Sequence, residues 1–318
     1  MPDARGHAAN IRAPGGWIAR TDPEGKSFHL FSVGFRNQYD VAFNADGEMF
    51  TFDSDMEWDS GTPWYRPTRI YHCVSGADYG WRTGTGKFPA WYPDVLPPAL
   101  DVGPGSPTGV MSGLGAKFPA KYQDAIYAFD WTYGTIYAMH LTPAGATYAA
   151  SKEEFVTGVP LNVSDGVIGK DGNMYFAVGG RGTPSALYRV SYTGSEPTDW
   201  EPRGNKLAVS YRMLRHELEG FHGKQVDGAV DKIWPHLGHE DRFVRYAARI
   251  GLEHQPVSDW SERALAEEDL QTSLSALLAL ARQGDPSLQP QLLDALSRIG
   301  ASEMDDAQKL EALRVLSL

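Results

Sequence analysis

Apolar residues alternate with polar ones along the first part of the chain, then shift to a three-to-four-residue spacing after about residue 199. Val41 and Phe43, then Met49, Phe50 and Phe52, flank an Asp46-Gly47 turn, which predicts a β-hairpin. The pattern returns 125 residues later, where Asp165-Gly166-Val167-Ile168 and Met174-Tyr175 flank Asp171-Gly172. That offset is close to three periods of about 40–45 residues, the length of a β-propeller blade. Further short strands are predicted over 17–21, 28–33, 68–74, 124–129, 134–141, 147–150 and 186–192. Short strands punctuated by Gly, Pro and Asp favour a propeller over a sandwich.

From Lys206 the spacing predicts helices. Leu207, Met213, Leu214 and Leu218 share one face, and further helices are expected over 230–237, 240–249, 270–281, 288–299 and 307–318. Gly284-Asp285-Pro286 and Gly300-Ala301-Ser302 supply stop signals between them. Residues 243–256 and 273–286 align at an offset of 30, as stacked helix pairs of an α-solenoid would. The Asp241-Arg242-Phe243-Val244-Arg245 run is similar to the start of the second helix in a HEAT repeat. Composition supports the division, since 26 of the 34 glycines precede residue 199. The expectation is a β-propeller portion over 1–198 followed by HEAT-like α-helical repeats over 199–318. The β part holds about three and a half blades, too few to close a ring. The chain also stops within an apolar helix, so it is expected to be a piece of a larger protein.

Charge and cysteine usage narrow the functional classes. A net charge of -11 with no basic run argues against a nucleic-acid or anionic-membrane surface. No apolar run approaches the roughly 20 residues of a membrane-spanning helix, and the first residues, Met1 to His7, do not read as a hydrophobic signal region. Cys73 is alone, so it forms no intramolecular disulfide and is expected to be buried and inert. Residues 59–109 carry eight prolines and read as a long decorated loop around one or two strands. Its aromatics serve either a function or simple packing against the sheet beneath.

Candidate chemistry concentrates around the first hairpin. Asp53, Asp55, Glu57 and Asp59 alternate just past its exit, where hard oxygen donors suit Ca²⁺ and a solvated acidic loop is the alternative. Trp58 and the lack of flanking helices exclude an EF-hand. Arg36-Asn37 offers a guanidinium beside an amide, suited to a carboxylate, a quinone or a sugar hydroxyl, or to a structural bridge between blades. Gly179-Gly180-Arg181-Gly182-Thr183 lies between strands and not before a helix, which rules against a phosphate-binding loop. Its turn either aims Arg181 into a central channel or is only tight. His7, His72 and His140 lack ligand spacing and are expected to be structural, and no Ser/His/Asp or Cys/His arrangement stands out.

Gly34-x-Arg36-Asn37, then Phe43, Asp46-Gly47 and Phe50, then the acidic loop and Gly76-Ala77-Asp78-Tyr79-Gly80-Trp81, resemble the pyrroloquinoline-quinone (PQQ)-dependent soluble aldose (glucose/sorbosone) dehydrogenases. The resemblance covers roughly residues 5–194 and implies a partial six-bladed β-propeller holding the quinone and calcium in its funnel. With the helical tail it resembles bacterial membrane-bound-dehydrogenase-like proteins, many of which end in a c-type haem domain. It implies an extracytoplasmic, periplasmic oxidoreductase that oxidises a sugar or alcohol and passes electrons to haem c or a cytochrome c. Arg36 and Asn37 would contact quinone or substrate, with Tyr39 and Arg181 completing the cofactor-facing set. Asp53 to Glu57 falls where the family's metal loop sits. The chain departs from the pattern at Tyr39, where the family has Gln. Asp130-Trp131-Thr132-Tyr133-Gly134 and residues 160–165 stand where basic residues are expected. The implied catalytic His would lie before Met1, and no Cys-x-x-Cys-His occurs. The alternative is a non-catalytic scaffold binding carbohydrate or a protein partner on the funnel and the helical surface.

Overall fold

The computed structural model describes residues 15–55, 66–82, 86–201, 206–300, 302 and 304–318. Strands come first. β1 (Gly16–Thr21) and β2 (Phe28–Phe35) form an antiparallel pair, and β3 (Ala42–Phe43), β4 (Met49–Asp53) and β5 (Thr68–Cys73) begin a second sheet. Within the proline-rich segment, β6 (Ala77–Asp78) pairs in parallel with β2, while β7 (Trp81–Arg82) and β8 (Gly86–Lys87) form a small hairpin. β9 (Leu100–Gly103) returns to the outer edge of β5. A third sheet is the meander β10 (Pro107–Ser112), β11 (Ile126–Asp130), β12 (Thr135–Ala144) and β13 (Thr147–Thr157), with the short helix α1 (Ala120–Gln123) before β11. The fourth is β14 (Val163–Ile168), β15 (Met174–Gly180) and β16 (Thr183–Val190).

The two repeated hairpins open different sheets in equivalent positions: β3–β4 starts the second and β14–β15 the fourth. Asn44 shapes the first turn by accepting the N–H groups of Asp46 and Glu48 on Oδ1, while Gly47 takes φ of +78°, a conformation L side chains resist. β10 packs between β3–β4 and β14, so the first strands of successive sheets face one another in a propeller-like arrangement. Phe50, Phe52, Ile70, Ile126 and Met139 fill the space between the second and third sheets. Met111, Phe129, Val163 and Phe176 do the same between the third and fourth. Each such side chain contributes about 1.5–3 kcal/mol by leaving water. Val167 and Leu187 remain exposed, so the fourth sheet is covered on one face.

Helices follow: α2 (Lys206–Glu219), α3 (Ala229–Ile233), α4 (Arg242–Glu253), α5 (Ser261–Ala266), α6 (Leu270–Gln283), α7 (Gln289–Ile299) and α8 (Asp306–Leu316). α2, α4, α6 and α8 stack in sequence, with α5 and α7 packed behind α6. Asp241, Asp269 and Asp305 cap α4, α6 and α8 by accepting first-turn N–H groups. The helix expected over 230–237 is α3 followed by a 3₁₀ turn at Trp234–His236, because Pro235 denies the helix a donor. α5 escaped the periodicity, being only six residues long. Among the described residues, no helix is long and apolar enough to cross a membrane.

One hydrophobic cluster runs through both halves. Phe35, Met49, Tyr71, Cys73, Val74, Ala77 and Tyr79 of the sheets pack with Leu218, Trp234, Phe243, Tyr246, Leu252 and Leu277 of the helices. The Gly76–Trp81 motif lies at this seam. Gly34 takes φ of +79° beneath it, and a Cβ there would stand 2.1 Å from Asp78 Oδ1. Tyr246 donates from its hydroxyl to Gly76 O and accepts the Asp78 N–H, joining α4 to β6.

The proline-rich loop packs against the helices as well. Arg242 Nη2 donates to the carbonyls of Tyr92 and Val95, and Arg314 lies over the rings of Phe88 and Tyr92. Buried Asp94 accepts from Arg282 and Arg314. Trp58 and the aromatic run over 63–65 lie outside the described residues.

Candidate functional site

Arg36 and Asn37 leave the end of β2, and the end of β4 fixes them. Asp53 Oδ2 accepts the Arg36 N–H at 2.9 Å and Oδ1 the Asn37 N–H at 3.0 Å. Ser54 follows, donating its hydroxyl to Asn37 Oδ1 and accepting Arg36 Nη1 at 3.2 Å. Asp53 is fully buried, and its charge is answered by Lys87 of β8, whose Nζ stands 2.6 Å from Oδ2 and 2.8 Å from the Tyr71 hydroxyl. Burial would lower the Lys87 ammonium, but Asp53 and Tyr71 outweigh it and hold the group above its ordinary value. The Tyr71 hydroxyl is raised by burial.

The acidic run therefore works differently from a cation-binding loop at its first two positions. Asp55 accepts the Lys87 N–H on Oδ1 at 3.1 Å and Arg69 Nη1 on Oδ2 at 3.1 Å. The protein's own ammonium and guanidinium, together with backbone N–H groups, occupy the oxygens of Asp53 and Asp55 that Ca²⁺ would need, so these two residues do not fit the ion as they stand. Glu57 and Asp59 lie outside the described residues. Among the described residues no three His, Cys, Asp or Glu side chains gather in metal-binding geometry.

Opposite Arg36 and Asn37, the third and fourth sheets supply the rest of a cleft of about 570 Å³. Ser106 and Thr108 come from the start of β10, and the Thr108 hydroxyl lies within hydrogen-bond distance of both Phe129 O and Val163 O, tying the two sheets. Trp131, just past β11, donates its indole N–H to Gly179 O at 2.8 Å and accepts Asn162 Nδ2 on its carbonyl at 2.9 Å. Arg181 completes the cleft from the β15–β16 turn. Its φ of +51° is unusual for a residue with a side chain, and it sets the guanidinium 5.3 Å from the centre of the Trp131 ring.

Three of the four residues expected to face a cofactor thus meet in one cleft, Arg36 and Asn37 from the first sheet and Arg181 from the fourth. Tyr39 is 72% exposed and stands outside its lining. Ser54, Ser106 and Thr108 escaped sequence reasoning, and Trp131 was read only as part of the 130–134 loop that lacks an expected basic residue. The available signal was the repeat Phe52-Asp53 and Phe129-Asp130, which marks the same strand end in two successive sheets. Asp130 Oδ1 accepts the N–H groups of Ser106, Thr132 and Tyr133, as Asp53 accepts those of Arg36 and Asn37. Asp130 Oδ2 is buried with no hydrogen-bond partner, and burial raises this carboxyl above its ordinary value against the pull of those N–H groups. Cys73 is buried, and burial raises its thiol well above the usual range, so it is unreactive as expected.

No family model matches the chain, and no curated protein matches it. Among solved structures it is similar to an oxidoreductase described as a glucose dehydrogenase from Thermus thermophilus, with 19% identity and a TM-score of 0.40 over 51% of this chain and 47% of that one. It is also similar to the PQQ-bound form of an aldose sugar dehydrogenase from Streptomyces coelicolor, with 16% identity and a TM-score of 0.42 over 57% of this chain and 53% of that one. A further glucose dehydrogenase gives 19% identity and a TM-score of 0.41 over 54% and 49%. The chain spans about half the length of these structures.

Proposed function

We propose that the sheet half of this chain is a quinone-binding module of the dehydrogenase type, with the cleft between Arg36, Trp131 and Arg181 as its binding site. The carrying observation is the convergence of Arg36, Asn37 and Arg181 on a cleft walled by Trp131. Two guanidiniums suit the carboxylates of a planar quinone such as PQQ, since Arg presents paired donors in a fixed fork. Asn37 and the hydroxyls of Ser106 and Thr108 suit carbonyl or sugar oxygens. When bound, PQQ supplies a two-electron acceptor for oxidation of a sugar or alcohol CH–OH group. Asp53 and Ser54 hold Arg36 and Asn37 in place, and Trp131 presents an apolar wall that keeps water from one side of the ligand. The carboxylate oxygens of Asp53 and Asp55 accept from Lys87 and Arg69, so these residues hold no calcium in the proposed reaction. Delivery of the electrons to a c-type haem partner, a periplasmic setting and a HEAT-like role for the stacked helices belong to the same proposal.

A second reading is a carbohydrate- or protein-binding scaffold that uses the same cleft without turnover. It is favoured by the lining itself, in which the described residues include no His, Asp or Glu to act as a base. Titration of the protein with PQQ, followed by quenching of tryptophan fluorescence, tests the first reading. Saturable binding is expected, weakened roughly tenfold or more by Arg181→Ala or Arg36→Ala, as fits the loss of a hydrogen bond to a charged group. Absence of saturable binding removes the quinone reading; carbohydrate binding at the cleft without PQQ binding selects the scaffold.

A further inference from the structure

Helix α4 carries Arg242, Arg245 and Arg249 on one face, at intervals of three and four residues. All three line a small cavity together with Ser275 and Leu278 of α6, Glu311 of α8 and Pro93 of the proline-rich loop. Its volume is about 20 Å³, enough to seat one water molecule or one small anion.

The arginines are only partly satisfied by protein. Arg242 Nη2 donates to Tyr92 O at 2.7 Å and Val95 O at 2.9 Å, and Arg245 Nη1 donates to His239 O at 2.6 Å and Glu240 O at 3.0 Å. Arg249 is 2% exposed, lies over the Tyr246 ring and pairs with Glu253 through Nη1, but its Nη2 is buried with no hydrogen-bond partner.

The nearby carboxylates already have partners. Asp94 accepts from Arg282 and Arg314, Glu253 from Arg249 and Arg282, and Glu311 from Gln271. With Glu253 counted beside the Arg249 it pairs with, three guanidiniums face two carboxylates, Glu253 and Glu311, which leaves an excess of one positive charge. Burial and the neighbouring Arg245 also depress the Arg242 guanidinium below its ordinary value, although Glu311 opposes this. A buried guanidinium N–H without an acceptor is costly, and so is uncompensated like charge.

We propose that this cavity binds a single halide-sized anion, chloride under ordinary conditions, which takes the open donor of Arg249 and joins α4 to α6, α8 and the proline-rich loop. The site is independent of the cleft between Arg36, Trp131 and Arg181. The test uses the whole chain in thermal melts with chloride or bromide against gluconate at matched ionic strength, and crystals soaked in bromide. The expected result is a saturable rise in Tm with either halide and an anomalous bromide peak beside Arg249. Arg245→Gln is expected to weaken the halide midpoint by roughly tenfold, as fits the loss of one charge-assisted contact. Arg249→Lys removes the open Nη2 and is expected to abolish the halide response; should it fail to fold, Arg245→Gln and the bromide peak still decide. Equal Tm in halide and gluconate, or density for water alone at the cavity in bromide, overturns the proposal.

Discussion

Asp53 and Lys87 form the buried ion pair on which the cleft rests, and both side chains are fully excluded from solvent. A buried pair is weak evidence of net stabilisation, but removing one partner strands the other charge in a low-dielectric site. Lys87→Met is therefore expected to destabilise the fold by about 3–5 kcal/mol, measured by urea unfolding. Because Asp53 also accepts the N–H groups of Arg36 and Asn37, the same variant should lose ligand binding at the cleft out of proportion to its remaining folded fraction. Wild-type urea midpoint in the variant would show that the ammonium is dispensable. Lys87 was hidden in sequence because its partner lies 34 residues earlier, across a loop whose path no local pattern reveals. The alternating acids read as donors for a metal, whereas tertiary structure supplies Asp53 and Asp55 with Lys87 and Arg69.

At the scale of elements, β4 and α2 are clamped through Glu48. Its buried carboxylate accepts Arg215 Nη2 at 2.7 Å, His216 Nε2 at 2.9 Å and His72 Nε2 at 2.9 Å. Burial would raise Glu48, but the two histidines and Arg215 hold it well below the usual carboxylate range. Burial depresses His72 despite its contact with Glu48, so the neutral ring donates from Nε2 and accepts the Thr147 hydroxyl on Nδ1. His216 behaves oppositely: hydrogen bonds to Glu219 and Glu48 raise it from 6.5 to about 9. A raised folded-state pKa means that its stabilisation is complete below 6.5 and is lost as pH rises through about 9. The side chain is 55% exposed, so solvent screening keeps the effect modest. Tm is expected to fall over this window in the wild type and to fall less in His216→Gln. Identical pH profiles would show that His216 does not contribute to the clamp. The helical character of α2 was legible from the spacing of Leu207, Met213, Leu214 and Leu218, but Leu207 and Met213 are exposed, and nothing showed that Arg215 and His216 meet Glu48 over 160 residues away.

For the whole molecule, the continuous cluster from Phe35 and Tyr71 to Phe243 and Leu277 implies that sheets and helices unfold together. Phe243 stacks on His72 across the seam, and Arg212 pairs with Asp46 beside it. Calorimetry is expected to show one cooperative transition, and residues 15–201 expressed alone should expose this apolar face and lose cooperative folding. Two separated transitions, or a cooperatively folded sheet fragment, would show that the halves are independent. Among the described residues the last strand ends at Val190 and the first long helix starts at Lys206, on either side of the composition change near residue 199. Composition cannot show that the two parts share a core, because burial depends on neighbours that sequence order does not specify.

Local physics made the repeated hairpins and the helix stops readable: Asp-Gly pairs fix turns, and Gly and Pro end helices. These forces act within a few residues, so the sequence carries them by itself. Tertiary structure alone decided that Arg181 and Trp131 meet Asn37, that Lys87 answers Asp53, and that Arg249 is left with an open donor in a cavity between helices. Each depends on long-range packing and on charges buried away from water, where the nearest partner in space is remote along the chain.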